Sequence, residues 1–553
     1  PTPDVIAVMG SKIASRATME EAGVPVLAVA ELGEDTDPHE AGLAIGYPLV
    51  VKASSGGGGK GMRIVGDPGN LTDAIAGASR EALASFGDAT VYLEHYVEHG
   101  RHIEVQIFGD RHGNVVHLYE RECSIQRRFQ KVIEEAPAPG LDDDVRVRLW
   151  DAAVGAGRAV RYEGAGTVEF IVAPDGSFSF LEMNTRLQVE HPVTEMTTGL
   201  DLVRMQIEIA SGCVVGPQDD LPQPEGHAIE ARLYAEVPGD GFVPSTGSLH
   251  RFTLPHGVRV DAGVDTGSVV THHYDPMLAK VIAHAPTRDE AARTLSRALS
   301  RAVIHGIETN RELLVSILDD DGFRAGPLDT GYLEREIDRL ITASTRPSRD
   351  VRLDAGIAAL AGQAENRLQA PVLASIPSGW RNVPSQPQTV TFIHGDETIA
   401  AQYSMGREPS VTVDGEPLAI SHVYRIAPDV VDLVVDRVRV WFDVHRVGAD
   451  VYVDSVRGSS SFTRKERFTT SQDRAEPGAM VARTPGNVVA VPVVLGDLVE
   501  AGDTVMIIEA MKMEQAIRAP LGGRVVAIHY AVGQQVEAGS VLAEIEGEDS
   551  SDG

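Results

Sequence analysis

The chain has 553 residues, 23% charged and 43% hydrophobic, which fits a folded multidomain protein rather than a disordered or membrane-embedded one. Asp and Glu outnumber Lys and Arg by 80 to 49, and the net charge of −31 argues against a continuous nucleic-acid-binding surface. Only Cys123 and Cys213 occur, far apart, which fits ordinary thiols in a reducing compartment and argues against a disulfide framework or a cysteine-rich metal site.

The first residues, Pro1-Thr2-Pro3-Asp4-Val5, run straight into a helical pattern with no initiator Met and no signal-like segment. The chain therefore reads as starting inside a domain, its natural N-terminus and any targeting sequence unobserved. From residue 1 to 340, β-branched runs such as Tyr47-Pro48-Leu49-Val50-Val51-Lys52 alternate with helical stretches such as 139 to 162, the text of an α/β or α+β enzyme. Lys52 closes one strand and leads into Ala53-Ser54-Ser55-Gly56-Gly57-Gly58-Gly59-Lys60-Gly61. Successive glycine amides can approach phosphate oxygens with no Cβ in the way, while Lys52 and Lys60 supply charge. A plain flexible loop is the competing reading, and the run matches neither a P-loop nor a dinucleotide fingerprint.

The next block is Gly166-Thr167-Val168-Glu169-Phe170, followed by Phe180-Leu181-Glu182-Met183-Asn184-Thr185-Arg186-Leu187-Gln188-Val189-Glu190. Glu169 and Glu182 fall at the ends of successive strands joined by the turn Pro174-Asp175-Gly176, so their carboxylates can converge across a hairpin, and Asn184 shares a face with Glu182. Hard oxygen donors that leave room for phosphate suit Mg²⁺. Two solvated edge carboxylates are the bland alternative.

Residues 344 to 366 read as a polar, Ala-rich helical connection, after which Pro371, Pro377, Pro384 and Pro387 break the pattern. From Gln388 to about Phe468, short alternating strands joined by turns such as Asp414-Gly415 predict a small β-barrel or sandwich. Residues 469 to 478 read as a linker. In the last stretch Gly486 to Glu509 aligns without gaps on Gly523 to Glu546, and two half-repeats too small to stand alone predict a flattened, pseudo-twofold β-barrel. The hairpin between them carries Glu509-Ala510-Met511-Lys512-Met513-Glu514. A surface lysine is the ordinary reading of Met-Lys-Met alone; its place between half-repeats instead predicts an exposed amine on a rigid turn.

Glu-Ala-Met-Lys-Met resembles the biotinyl-lysine motif of biotin carboxyl carrier domains, which implies biotin on Lys512, attached by a biotin protein ligase. Ala482-Arg483-Thr484-Pro485-Gly486 departs from the Pro-Met-Pro signature that many carriers show before the first strand. The glycine-rich segment and the 166 to 195 block resemble the ATP-grasp biotin carboxylases over nearly all of residues 1 to 340. The resemblance implies that Lys12, Lys52, Gly58, Gly59 and His102 contact ATP, with Glu94 to Val97 holding adenine. Glu169, Glu182 and Asn184 would bind Mg²⁺ or Mn²⁺; Lys131, Arg186, Gln188, Val189 and Glu190 would surround bicarbonate, with Glu190 as general base; and Arg232 would meet the biotin ureido group. Phe129 stands where many relatives carry His or Asn. The resemblance also implies a further α/β subdomain before the point where the chain starts.

The expected architecture is multidomain α/β and β: an N-terminally incomplete biotin carboxylase at 1–340 with its ATP-grasp lid at about 27–96, a helical linker at 341–366, a mediating β-barrel at 367–470, a linker at 471–478, a carrier at 479–548 and a tail at 549–553. Fusion of carboxylase and carrier resembles the alpha subunits of acyl-CoA carboxylases, and Gly379-Trp380-Arg381 lies in a region similar to their mediating domain. This implies ATP-dependent carboxylation of carrier-bound biotin by bicarbonate in a hetro-oligomer with a carboxyltransferase beta subunit, with no nucleic-acid or membrane partner. Total length favours 3-methylcrotonyl-CoA as acceptor, then propionyl-CoA or acetyl-CoA. The expected location is cytoplasmic, or the mitochondrial matrix in a eukaryote. The alternatives are a noncatalytic biotin carrier and assembly scaffold, or another ATP-grasp ligase such as a carbamoyl-phosphate synthetase.

Overall fold

The computed structural model describes residues 1–33, 36–54, 62–373, 375–376, 380, 382, 386–405, 409–466, 478–482, 484–510 and 513–547. Near the N-terminus, the β-branched run before the glycines forms strand Leu49–Ala53, and its Leu49 and Val51 point into a small core. This strand is the third in a four-stranded antiparallel sheet ordered Val29–Glu31, Val91–His95, Leu49–Ala53, Arg63–Val65. Leu71, on helix Leu71–Phe86, closes the core over Leu93.

The main sheet has eight antiparallel strands, ordered Arg259–Ala262, Met277–Ala285, His227–Tyr234, Gln130–Ala136, Val115–Arg127, Arg101–Gly109, Gly164–Val172 and Phe178–Asn184. Helix Asp143–Ala159 starts at Asp142, whose carboxylate accepts from the Asp144 amide at 2.9 Å, and lays Leu149 and Ala153 on one face of the sheet. Strand alternation turns Ile103, Val105 and Ile107 toward that helix and Glu104 and Gln106 away from it. Glu104 and Gln106 are nevertheless fully buried, so the other face of the sheet carries a polar network where an apolar core would be usual.

The segment 341–366, expected as a connection, is arranged differently. Helix Tyr332–Ser344 crosses the expected boundary at 340, and helix Ser348–Leu368 forms the centre of the following unit. Every residue from Leu353 to Ala361 is buried, and Ile357, Leu360 and Ala361 share one core with Phe392, Leu433 and Phe442. A helical stretch buried on all sides has no solvent face to keep, and its alanines let the surrounding strands come close. Those strands form a nine-stranded antiparallel sheet that wraps the helix and runs from Glu416–Pro417 at one edge to Ile420–Ile426 at the other. The region before residue 340 meets this sheet through a cluster of rings. His305 lies 2.8 Å from Asp454 and 3.0 Å from His445, and stacks on Tyr452 with ring centroids 4.3 Å apart.

The C-terminal half-repeats build two four-stranded sheets of matching order: Ala479–Val481, Val541–Gly547, Gly523–Ile528, Leu498–Val499, and Met513–Arg518, Thr504–Ala510, Gly486–Ala490, Gln535–Val536. Equivalent glycines mark the symmetry. A Cβ on Gly486 would stand 2.6 Å from the Glu509 carbonyl oxygen, and one on Gly523 would stand 2.2 Å from that of Glu546. Both positions need bare backbone because a strand passes directly beside them. No helix among the described residues is long and apolar enough to cross a membrane.

Candidate active site

Strands Gly164–Val172 and Phe178–Asn184 pair so that Glu169 stands directly opposite Glu182. The convergence expected across the hairpin is therefore present, inside the strands rather than at their ends. The Asn184 amide donates to Glu169 Oε1 at 2.7 Å and to Glu182 Oε1 at 3.2 Å. On the next strand Glu104 is opposite Glu169. His102 points the same way: the Gln126 amide donates to its Nδ1 at 2.6 Å, which leaves Nε2 to donate to Glu169 Oε2 at 2.6 Å.

Lys131, on the far side of this pocket, gathers three carboxylates. Its Nζ donates to Glu104 and to Glu190 at 2.6 Å each, and to Glu169 at 3.1 Å. Arg232 donates from Nη2 to the other oxygen of Glu190 at 3.0 Å and from Nε to Glu134 at 2.5 Å. Beneath them the fully buried Arg121 holds Glu104, Gln106, Thr194 and Thr167 with its guanidinium.

Burial works against a charged Glu190, but Lys131, Arg232 and Arg121 outweigh it and hold its carboxyl well below the usual range. The same opposition is settled the same way at Glu169 by Lys131 and His102. Burial also opposes the Lys131 charge, but the Cys123 sulfur and the carboxylates of Glu104, Glu169 and Glu190 push the ammonium well above its ordinary value. Lys12 is shifted the other way, by burial and then by the nearby Lys52 charge.

A cavity of about 350 Å³ unites these groups. Its walls include Lys12, Lys52, Glu94, Val97, His102, Lys131, Glu169, Glu182, Asn184, Arg186, Gln188, Val189, Glu190 and Arg232, drawn from the small sheet and the main sheet together. Lys52 is ion-paired with Glu94, Arg186 donates to Gln188 at 2.8 Å, and Gln188 donates in turn to Glu169 at 2.9 Å. Phe129, with φ +66°, also lines the cavity. The expected residues Gly58, Gly59 and Lys512 lie outside the described residues; on either side of the latter, Ala510 pairs with Met513.

Four families match the chain in succession: carbamoyl-phosphate synthase L chain, ATP binding domain, at residues 11–216; biotin carboxylase C-terminal domain at 230–335; methylcrotonyl-CoA carboxylase, alpha-subunit, BT domain, at 352–467; and biotin-requiring enzyme at 475–545. The mitochondrial methylcrotonoyl-CoA carboxylase subunit alpha of Dictyostelium discoideum is 38% identical over 550 residues, covering 94% of this chain and 78% of that protein. The chain belongs to the methylcrotonoyl-CoA carboxylase alpha-subunit family.

The carboxylase part of this family is similar to free-standing enzymes. Biotin carboxylase 2 of Bacillus subtilis is 49% identical over 342 residues, 61% of this chain and 77% of its own. The biotin carboxylase domain of Hydrogenobacter thermophilus 2-oxoglutarate carboxylase, solved with MgADP and bicarbonate, aligns with a TM-score of 0.59 at 41% identity, over 61% of this chain and 75% of that one. The donor set of this alpha-subunit relative suits a divalent cation: two carboxylates face each other across a strand pair and meet on one amide, a concentration of negative charge with hard oxygen donors.

The sequence reading did not single out Gln126, which orients His102, or the layer of Glu104, Arg121 and Glu134 that holds Lys131 and Arg232. A signal was present. Glu104 and Gln106 interrupt the run Ile103-Glu104-Val105-Gln106-Ile107 at alternate positions, as a strand with one charged and one apolar face requires.

Proposed function

We propose that the chain carboxylates biotin with ATP and bicarbonate and carries that biotin on Lys512, as the alpha subunit of an acyl-CoA carboxylase acting on 3-methylcrotonyl-CoA. The observation that carries this reading is the meeting of Lys131, Glu190 and Arg232 beside the opposed Glu169 and Glu182 in a single cavity.

Bicarbonate is a poor electrophile, and phosphorylation by ATP turns it into carboxyphosphate. Lys12 and Lys52 supply positive charge toward the phosphates, and backbone about Glu94 to Val97 takes the adenine. Arg186 and Lys131 hold the bicarbonate anion in line with the γ-phosphoryl group, so that positioning supplies much of the acceleration. Glu190, ionised by its cationic neighbours, takes the bicarbonate proton onto a carboxylate oxygen. Glu169, Glu182 and Asn184 would hold Mg²⁺ or Mn²⁺, which, when bound, neutralises charge on the transferring phosphoryl group. Carboxyphosphate breaks down to CO₂ and phosphate, the phosphate takes the proton that leaves the ureido nitrogen, and Arg232 holds the ureido oxygen; biotin on Lys512 would supply the nitrogen that takes up CO₂.

The partners in this reading are a biotin protein ligase, which modifies Lys512, and a separate carboxyltransferase beta subunit. The location is the cytoplasm, or the mitochondrial matrix in a eukaryote; the Dictyostelium relative is named as mitochondrial. The test is ADP release with free biotin, with and without bicarbonate, followed by co-purification with the beta subunit and a panel of acyl-CoAs. Turnover requiring both biotin and bicarbonate, with 3-methylcrotonyl-CoA the preferred acceptor, is expected. A biotinylated chain with no bicarbonate-dependent ATP cleavage would make it a carrier and scaffold instead.

A further inference from the structure

The register of the main sheet sets two more carboxyls against one another. Strand His227–Tyr234 runs beside strand Gln130–Ala136 with Glu230 opposite Glu134, and beside strand Met277–Ala285 with Arg232 opposite Lys280 and Glu230 opposite Ile282. Glu230 and Arg232, two residues apart, therefore share a face with Glu134 and Lys280. Both glutamates are fully buried.

Their hydrogen bonds are unequal. One Glu134 oxygen receives Arg232 Nε at 2.5 Å; the other, and both oxygens of Glu230, have no partner among the described residues. The cation across the sheet is engaged elsewhere, because Lys280 donates to the Val189 carbonyl at 2.8 Å and pairs with Asp261 at 3.3 Å. The remaining charged groups that face the pair are Lys131 on the strand of Glu134, and Glu190, itself bound to both Lys131 and Arg232. On helix His191–Thr198, His191 feels the Lys280 charge, and Glu195 is taken by Arg259 at 2.6 Å. Two opposed carboxyls in a fully buried layer strongly resist both being charged, and an orphaned carboxylate there is disfavoured.

We propose that Glu134 and Glu230 hold one proton between them and act as a positioning pair for Arg232, Glu134 anchoring the guanidinium with its charged oxygen while Glu230 stays neutral. Arg232 then faces one negative charge from this pair rather than two, and its own charge stays available to the ureido oxygen. This rests on the reading of Arg232 given above. Burial, and then the Glu134 charge, raise the Glu230 carboxyl well above the usual range; burial raises Glu134 too, but the Arg232 charge opposes it there, so Glu134 is the member of the pair that ionises first.

Two measurements on the full chain test the pair. Infrared spectra at neutral pH should show the carbonyl stretch of a neutral buried carboxylic acid that disappears in Glu230→Gln and fades as the pH is raised. In the biotin-dependent assay, Glu134→Gln should lower kcat by roughly 10²-fold, the cost of a misplaced contact, with KM for ATP unchanged. Glu230→Gln preserves the neutral form, so it should turn over at neutral pH far faster than Glu230→Ala and lack the alkaline decline of the wild type, in which a second negative charge comes to face Arg232. Absence of the infrared band overturns the shared proton. Its presence with a Glu230→Gln variant as slow as Glu134→Gln, or with an unchanged pH profile, overturns the positioning role. A wild type with the band and no biotin-dependent turnover overturns the functional reading while leaving the proton pair standing.

Discussion

Lys131 Nζ stands 2.6 Å from Glu190 Oε1, so the proposed anion-holding cation and the proposed base are joined directly. The pair fixes the carboxylate in its ionised form before substrate arrives. Glu190→Gln should lower bicarbonate-dependent ATP cleavage by roughly 10²- to 10⁴-fold, the range of a lost general base. Thermal stability should fall less, because Lys131 keeps Glu104 and Glu169. Turnover near that of the wild type would remove Glu190 from the mechanism.

Arg121 is the deeper support. Its removal in Arg121→Met strands Glu104 with Lys131 alone, and breaking a buried pair from one side costs about 3–5 kcal/mol. Urea unfolding of the carboxylase transition reads this directly; a midpoint equal to that of the wild type would contradict it.

The His445 cluster predicts acid sensitivity between the carboxylase and the wrapped helix. Burial first, then the neighbouring His305, Arg251 and His250, hold the His445 imidazole below its ordinary value. A histidine depressed in the fold favours the unfolded state once that state takes up its proton, so stability should be full at alkaline pH and decline as pH falls below about 6.5. At Asp454 burial opposes the charge, yet His305 prevails and the carboxyl lies below its usual value. Its stabilisation is present above about 3.8 and is lost at still lower pH. Melting curves of His445→Gln should show a shallower decline between mildly alkaline and mildly acid buffer than those of the wild type.

Lys512→Arg should abolish streptavidin-detected biotinylation and transfer to acyl-CoA while leaving carboxylation of free biotin intact. Loss of the free-biotin reaction as well would mean that the carrier completes the carboxylase site.

Leu360→Ala, at the centre of helix Ser348–Leu368, opens a cavity in the core shared with Phe442 and should cost about 2–5 kcal/mol. The denaturation midpoint of the wrapped-helix unit measures it.

Much of the site could be read from the chain because its parts lie close in sequence. Glu169 and Glu182 flank a recognisable turn, and strand periodicity alone brings them to one face. Lys131 and Arg232 came only from resemblance, since their meeting at Glu190 depends on strands that are neighbours in space and distant in sequence. Glu134 and Glu230 were invisible for the same reason: cross-strand register is a property of the folded sheet. The helix Ser348–Leu368 was misread because alanine is equally at home on a solvated connection and in a tight interior, and local propensity says nothing of what will surround it. The half-repeats around Lys512 were legible because each copy carries the same glycines for the same close approach.

The passage from helix Tyr332–Ser344 to helix Ser348–Leu368 is only residues 345 to 347. One of these, Arg346, is tied to Asp354 at 2.7 Å and to Ser460 at 2.8 Å. The next helix is itself the centre of the wrapped sheet, so this junction is a mooring rather than a hinge. Under the proposed function, it is the carrier, downstream of the last wrapped strand, Gly458–Arg464, that covers whatever distance separates this cavity from a carboxyltransferase.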